Sequence, residues 1–308
     1  MQANQTIASI KEPEQTMNSK QLEHARVLNK LKQPSWVFWT CIKYLTLILA
    51  SLAVLVPPYA VLMASFKNAK EYYATSKVAL PESFLYFDNF VQVIAEGNLG
   101  LAFANTGIIL FVSLFFTVLF GTQVAYVLSR FNFKGRSLVL LAYVVAMVIP
   151  AVTTQVATFE IIKSLDLINH KGSVILLYVG ADVVIIYLFL QFMKGIPLEL
   201  DEAAKIEGAS YFTIYYRIIL PLLKPAIATV VILRTIYIYN DFYFPLLYLP
   251  EREQVTVSTA LYKFTSVFGT EWTVISAGII IILIPSIIVF LLLQKHVYAG
   301  VTNGAVKG

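Results

Sequence analysis

Apolar residues in this sequence come in continuous runs of about twenty, parted by short polar or charged stretches. An α-helix needs roughly that length to cross a hydrocarbon core about 30 Å thick. The runs are too long for barrel strands, so helices are the expected spanning element. Six spans are predicted: residues 44–66, 105–128, 138–159, 173–193, 226–248 and 274–293. The expected fold is therefore all-α, with six transmembrane helices. Residues 1–43 read as a polar N-terminal tail, 67–104 as a long loop with an aromatic patch at 84–90, and 294–308 as a C-terminal tail. Pro57, Pro58, Pro150, Pro245 and Pro285 fall inside the runs and mark expected kinks.

Composition supports the same class. The chain is 58% hydrophobic and 13% charged, with a mean hydropathy of +0.73. Soluble domains carry about a quarter charged residues. The single cysteine, Cys41, excludes an internal disulfide and a cysteine metal cluster, and the three histidines, His24, His170 and His296, lie far apart. No metal site is expected. The first apolar run follows about 35 polar residues and is too long for the core of a cleaved leader, so none is expected. The net charge of +5 has a topological reading rather than a nucleic-acid one. Segments 1–43, 129–137, 194–225 and 295–308 hold 15 Lys and Arg; segments 67–104, 160–172 and 249–273 hold 7. The positive-inside rule then puts both termini and the 194–225 segment in the cytoplasm, and the 67–104 loop outside.

The longest charged interruption in the second half is 196–221, with Glu199, Asp201, Glu202, Lys205, Glu207 and Arg217. Pro197 suits a first helical turn. Asp201 and Glu202 suit that helix's positive end. Gly208 suits a positive-φ stop, and Ser210 an N-cap for a second helix that Pro221 ends. The segment reads as helix, glycine turn, helix.

Its spacing also carries a resemblance. Glu202-Ala203-Ala204, Gly208, nine residues, then Ile218-x-Leu220-Pro221 resembles the EAA loop of ABC-importer permease subunits. Ala125-Tyr126 through Arg130, Phe133-Lys134-Gly135-Arg136, Met147 to Pro150, Tyr239-Asn240-Asp241-Phe242 and the ending Gly304 to Gly308 resemble the carbohydrate branch, in particular its smaller maltose-type subunit. The resemblance covers about residues 70–308. It implies a type I ABC importer permease fold in the cell membrane of a prokaryote. It implies a binding-protein-dependent importer of a sugar or oligosaccharide, in which this chain forms half of the pathway and is not an enzyme. It implies partners: a second homologous permease, two ATP-binding cassette subunits, and an extracellular lipid-anchored or periplasmic substrate-binding protein, amid membrane lipids and without nucleic acid. The implied coupling residues are Glu202, Ala203, Ala204, Glu207, Gly208 and Ala209. No Gly-x-x-x-x-Gly-Lys-Ser/Thr occurs in the chain, so it has no phosphate cradle of its own. No cofactor is expected on this chain; ATP and magnesium belong to the partner ATPase. The alternatives are an ion-coupled secondary carrier and an ABC permease for another solute such as a peptide or amino acid. A membrane enzyme would need clustered catalytic acids with a metal-binding partner motif, which is not seen.

Charges inside a span need a partner or a water-filled cavity. Asp182, Arg234 and Asp241 are the cases here. Helical spacing puts Arg234 and Asp241 on one face of the fifth span, about 10 Å apart at 1.5 Å per residue. Asp182 is then the expected partner of Arg234. Tyr239, Asn240 and Asp241 combine aromatic rings with hydrogen-bonding groups, as a sugar pathway requires. An interfacial aromatic belt is the plainer reading of such tyrosines.

Overall fold

The computed structural model describes residues 34–180, 183–266 and 269–305. The chain divides into two compact units, 1–60 and 61–308. The first is described only from Pro34, where α1 (Pro34–Ser65) begins; the helix is continuous through Pro57 and Pro58. In the second unit follow α2 (Ala69–Ala74), α3 (Asp88–Gly97), α4 (Leu99–Arg130), α5 (Arg136–Val148), α6 (Ala151–Ser164), α7 (Lys171–Val179) and α8 (Val183–Lys194). Then come α9 (Glu199–Ile206), α10 (Tyr211–Leu222), α11 (Lys224–Asn240), α12 (Tyr243–Tyr248) and α13 (Trp272–Ala305). Among the described residues the secondary structure is helical apart from a short hairpin, in which Thr265–Ser266 pairs antiparallel with Gly269–Thr270.

Among the described residues three helices are long and apolar enough to cross a membrane: α1, α4 and α13. The other candidates are three bent helix pairs, so the described residues hold three spans, or up to six if each bent pair is one span. Residues 138–159 do not form one helix; α5 and α6 meet at 104°. Pro150 has no N–H and excludes helical geometry at Ile149, which sits at φ −75° and ψ 115°. Residues 173–193 break after Val179, with α7 and α8 bent by 44°. The expected span 226–248 ends early, at Asn240, and resumes as α12 beyond Asp241. Pro245 sits in the first turn of α12, where a missing N–H is harmless. At the C-terminus, α13 continues to Ala305, through most of the expected tail. The 67–104 loop also holds structure: α2, α3 and the first turns of α4.

The second unit is organised along α4, which is 32 residues and therefore about 48 Å long. Its buried face includes Ile109, Ser113, Thr117, Gly121 and Ala125, a row at four-residue spacing. Such small residues let neighbouring helices approach closely, which is how helices associate where lipid removes the hydrophobic drive. At its C-terminal end α4 packs on α8, α10 and α11 around Phe189, Met193, Ile214 and Leu223. At its N-terminal end it packs on α3, the 257–264 segment and the start of α13. Asn105 donates to the carbonyls of Glu253 and Val255, both at 2.9 Å, and Thr106 Oγ1 accepts from Val257 N at 3.0 Å. These bonds satisfy backbone groups of a segment whose regular structure is a single 3-10 turn, Arg252–Gln254.

Gly121 is the tightest point of this row. A Cβ there would lie 3.0 and 3.1 Å from the ring of Phe189, which is fully buried. Overpacking a site of this kind costs about 1–3 kcal/mol. Gly121→Val is expected to lower the thermal midpoint of the purified protein in detergent, whereas Gly107→Val, where a Cβ meets nothing within 4 Å, is expected to leave it unchanged.

Candidate coupling loop and transport pathway

The 196–221 segment begins where α8 stops at Lys194. Pro197 precedes the N-cap Leu198 rather than entering the first turn of α9. Glu199, Asp201 and Glu202 occupy that turn, where the helix dipole favours anions. The end of α9 has two bonds that define its stop: Gly208 N–H donates to Lys205 O at 2.9 Å, and Ala209 N–H reaches back to Ala204 O at 2.9 Å. This is the Schellman arrangement, which needs a left-handed residue at its turn. Gly208 supplies it, at φ 81°. Ser210 then caps α10, its Oγ accepting from Thr213 N at 3.2 Å. The chain thus folds as helix, glycine turn, helix.

Within α10, residues 215–219 widen into a π turn. Pro221 cannot donate to the carbonyl four residues back, and its ring crowds it. The wider turn accommodates that: Leu220 N–H bonds Tyr215 O instead, and the helix runs one residue past the proline. The π turn also carries Tyr215, whose hydroxyl lies 2.8 Å from Thr122 Oγ1 of α4, both buried. After Leu222 the chain turns by 69° into α11.

One ion pair fixes α9 to α4. Arg130 Nε lies 3.2 Å from Asp201 Oδ2, with side chains 7% and 6% exposed. The N–H is not aligned for a hydrogen bond, so the attraction is that of two charges in contact. Arg130 Nη2 also donates to Ile196 O at 3.0 Å. The last residue of α4 therefore holds both the entry to the segment and the first turn of its helix. The sequence reading placed Asp201 at the positive end of the helix but not its pairing with Arg130, since nothing in the spacing of the four acids shows which one turns inward.

The expected coupling residues divide by face. Glu202, Ala203, Glu207 and Gly208 are exposed, Ala209 is half-buried, and Ala204 is buried against the core below α9. Beside the exposed set lie large apolar side chains: Ile206 is 88% exposed and Phe212 72%. Phe212 and Tyr216 are parallel, with ring centroids 6.4 Å apart.

The charged residues of the spans behave differently from the helical-face expectation. Asp241 has left α11, with φ −70° and ψ 114°, so the i, i+7 relation to Arg234 does not hold. Its Oδ1 accepts from Tyr243 N at 2.8 Å and Phe244 N at 3.3 Å, capping α12, and its Oδ2 accepts from the Tyr178 hydroxyl at 2.9 Å. Arg234, buried, donates to the Tyr178 carbonyl and lies over the Tyr237 ring at 5.1 Å. Tyr178 of α7 thus mediates between the two charges, a role with no signal in the sequence beyond the demand that a buried charge find polar company. Asp182 lies outside the described residues, so its expected pairing does too. Tyr239 donates to Ile282 O on α13 at 2.8 Å. Tyr239 and Asn240 line a mostly apolar cavity of about 440 Å³ between α4, α11 and α13. Among the described residues no group of three or more His, Cys, Asp or Glu could hold a metal ion.

Residues 117–303 match the family described as binding-protein-dependent transport system inner membrane component. The chain belongs to this family. It is a transport permease subunit of the ABC type rather than an enzyme. It is similar to the probable starch degradation products transport system permease protein AmyC of Thermoanaerobacterium thermosulfurigenes, 33% identical over 84% of this chain and 94% of that one. It is also similar to the melibiose/raffinose/stachyose import permease protein MelC of Bacillus subtilis, 31% identical over 82% of this chain and 91% of that one. A solved bacterial ABC transporter involved in import of the acidic polysaccharide alginate shares the fold, with a TM-score of 0.76 over 85% of this chain and 98% of that one at 22% identity.

Removing one member of a buried ion pair strands the other and costs about 3–5 kcal/mol, while replacing both with apolar groups is often neutral. Arg130→Met and Asp201→Leu are each expected to lower the thermal midpoint of the purified protein and expose 196–221 to protease. The double variant is expected to recover most of both losses.

Proposed function

We propose that this permease is the membrane subunit of an ATP-driven importer of a sugar or oligosaccharide in a prokaryotic cell membrane. Six spans follow, from α1, α4, α5 with α6, α7 with α8, α11, and α13, with both termini and the 196–221 segment, α10 included, in the cytoplasm. A second homologous permease completes the pathway. Two ATP-binding cassette subunits, which hold ATP and magnesium, lie below, and an extracellular lipid-anchored or periplasmic binding protein delivers the solute. The observation that carries the coupling role is the build of α9. One face is tied to α4 by Arg130 and Asp201, and the opposite face presents Glu202, Ala203, Ile206 and Glu207. The first face makes α9 move with the spans; the second gives an ATPase something to grip.

In this reading ATP-driven closure of the ATPase pair displaces α9, and the stiff tie passes the displacement to the C-terminal end of α4. Tyr239 and Asn240 line the pathway. Arg234, Tyr178 and Asp241 hold the break between α11 and α12 open as fixed structure. The sugar assignment rests on the substrates in the relatives' names together with the Tyr239-Asn240-Asp241 signature.

Gly208 tests the coupling role. A non-glycine residue at this φ costs roughly 1–2 kcal/mol, less for asparagine. Nothing in this chain lies within 4 Å of a Cβ placed there, so added bulk meets only a docked partner. In reconstituted vesicles Gly208→Asp and the isosteric Gly208→Asn are each expected to insert normally and to lose most ATP-dependent uptake. Normal uptake by Gly208→Asp would refute the coupling role.

A further inference from the structure

The far end of α4 carries a second concave site that the transport reading does not use. It lies between α2, α3 and the start of α13, with a volume of about 480 Å³. That is within the usual range for small-ligand clefts. α3 ends at Gly97, next to the first residue of α4, so the cleft sits at the opposite end of that helix from Arg130. Four aromatic side chains line it: Tyr72, Tyr73, Tyr86 and Trp272. Tyr73 is 66% and Trp272 50% exposed. The Tyr72 and Tyr73 rings stand at 82° to each other with centroids 5.3 Å apart, presenting two walls rather than one surface. The Tyr73 hydroxyl lies 3.4 Å from Thr270 O.

Polar groups share this lining. Gln92 Nε2 donates to Glu271 Oε2 at 3.1 Å, and both line the cleft. A carboxylate beside a primary amide offers acceptors and a donor at close spacing. No Lys, Arg or His is among the lining residues. The nearby Lys77 is engaged with the Tyr72 carbonyl at 2.6 Å and lies 3.5 Å over the Tyr72 ring.

Aromatic walls with a carboxylate–amide pair in the same lining suit a molecule with apolar C–H faces and hydroxyl edges. Tyrosine and tryptophan give apolar area with a polar tip. A charged acceptor makes stronger hydrogen bonds to hydroxyls than a neutral one. Glu271 is the one charged side chain among the lining residues, and its negative charge disfavours an anionic ligand.

We propose that the cleft formed by Tyr72, Tyr73, Tyr86, Trp272, Gln92 and Glu271 is a saccharide-binding subsite on the outer face, selective for neutral over acidic sugars. This rests on the sugar-importer reading above. The subsite is separate from the cavity at Tyr239 and Asn240, and it holds one end of an oligosaccharide before the chain enters the membrane.

The test uses the purified complex in nanodiscs without its binding protein. Saturation-transfer NMR would measure binding of maltotriose, raffinose, arabinotriose and a uronic-acid trimer, with uptake of the same panel measured in vesicles. Tyr73 and Glu271 are exposed, so their substitution leaves the fold intact. The expected result is binding of the transported neutral sugar, weakened about fivefold by Tyr73→Ala, the effect of losing one aromatic contact, and reduced also by Glu271→Gln. The uronic-acid trimer should give no signal with the wild-type complex and gain one with Glu271→Gln. Uptake of a neutral sugar with no binding to the complex, or with binding that neither variant changes, would overturn the subsite while leaving the importer reading intact. A binding protein that docks less well to Tyr73→Ala with the sugar signal unchanged would overturn it as well. ATP-dependent uptake of a non-sugar solute and of none of the panel would overturn the sugar reading and the subsite with it.

Discussion

Two charges buried against each other at the end of a long helix set the mechanical character of this molecule. Arg130 and Asp201 are 6–7% exposed, and desolvating them costs several kcal/mol per ion before their attraction is counted. A pair of this kind is weak grounds for overall stability. It is strong grounds for fixed geometry, because neither partner can leave without stranding the other. The same guanidinium binds the Ile196 carbonyl, so α9 and the chain leading to it share one anchor. Tyr215 and Thr122 add a second link about two turns further into α4.

From that anchor α4 runs the length of the second unit and joins its three apolar clusters in turn. Around it the other candidate spans are broken, at Pro150, after Val179 and after Leu222, and the helix that follows Leu222 ends again at Asn240. Breaks at membrane depth leave backbone groups without helical partners, and these must be satisfied by protein. The structure does so with side chains. Asp241 caps α12, and Ser258 donates to the Asp241 carbonyl at 2.6 Å. Arg234 donates to the carbonyl of Tyr178. The charged residues in the spans are thus accounted for largely by the irregular backbone they support.

Much of this was legible in the sequence, and the failures are specific. The length of the apolar runs gave helices and approximate spans, because the demand for apolar side chains in lipid is strong and local. Gly208 and Ser210 were legible because a Schellman stop and an N-cap each need particular residue types. The breaks were not: Pro150 and Pro245 were read as kinks within spans, and the breaks after Val179 and Asn240 have no proline at the break. Asp241 was read by helical periodicity, which lapsed because the helix ends one residue earlier. The contacts of Tyr178 and of Asp201 were missed for a common reason. Their roles depend on which neighbour lies opposite in space, and neither composition nor spacing encodes that for a single tyrosine or for one acid among several. Ala204 shows the complement: it shares the EAA pattern with Ala203 but faces the core, a division the three-residue run is too short to reveal.

The most direct measurement is site-specific crosslinking from the two faces of α9. Cys41 is the only cysteine, so Cys41→Ser gives a clean background. A cysteine at Ile206, 88% exposed, and one at Ala204, 8% exposed, can each be tested in native membranes with a short thiol-to-amine crosslinker. The account predicts that Ile206→Cys captures an ATP-binding cassette subunit, in a yield that changes when ATP is added, and that Ala204→Cys captures none. Capture from Ala204→Cys, or no ATPase from Ile206→Cys, would contradict the assignment of that face as the coupling surface.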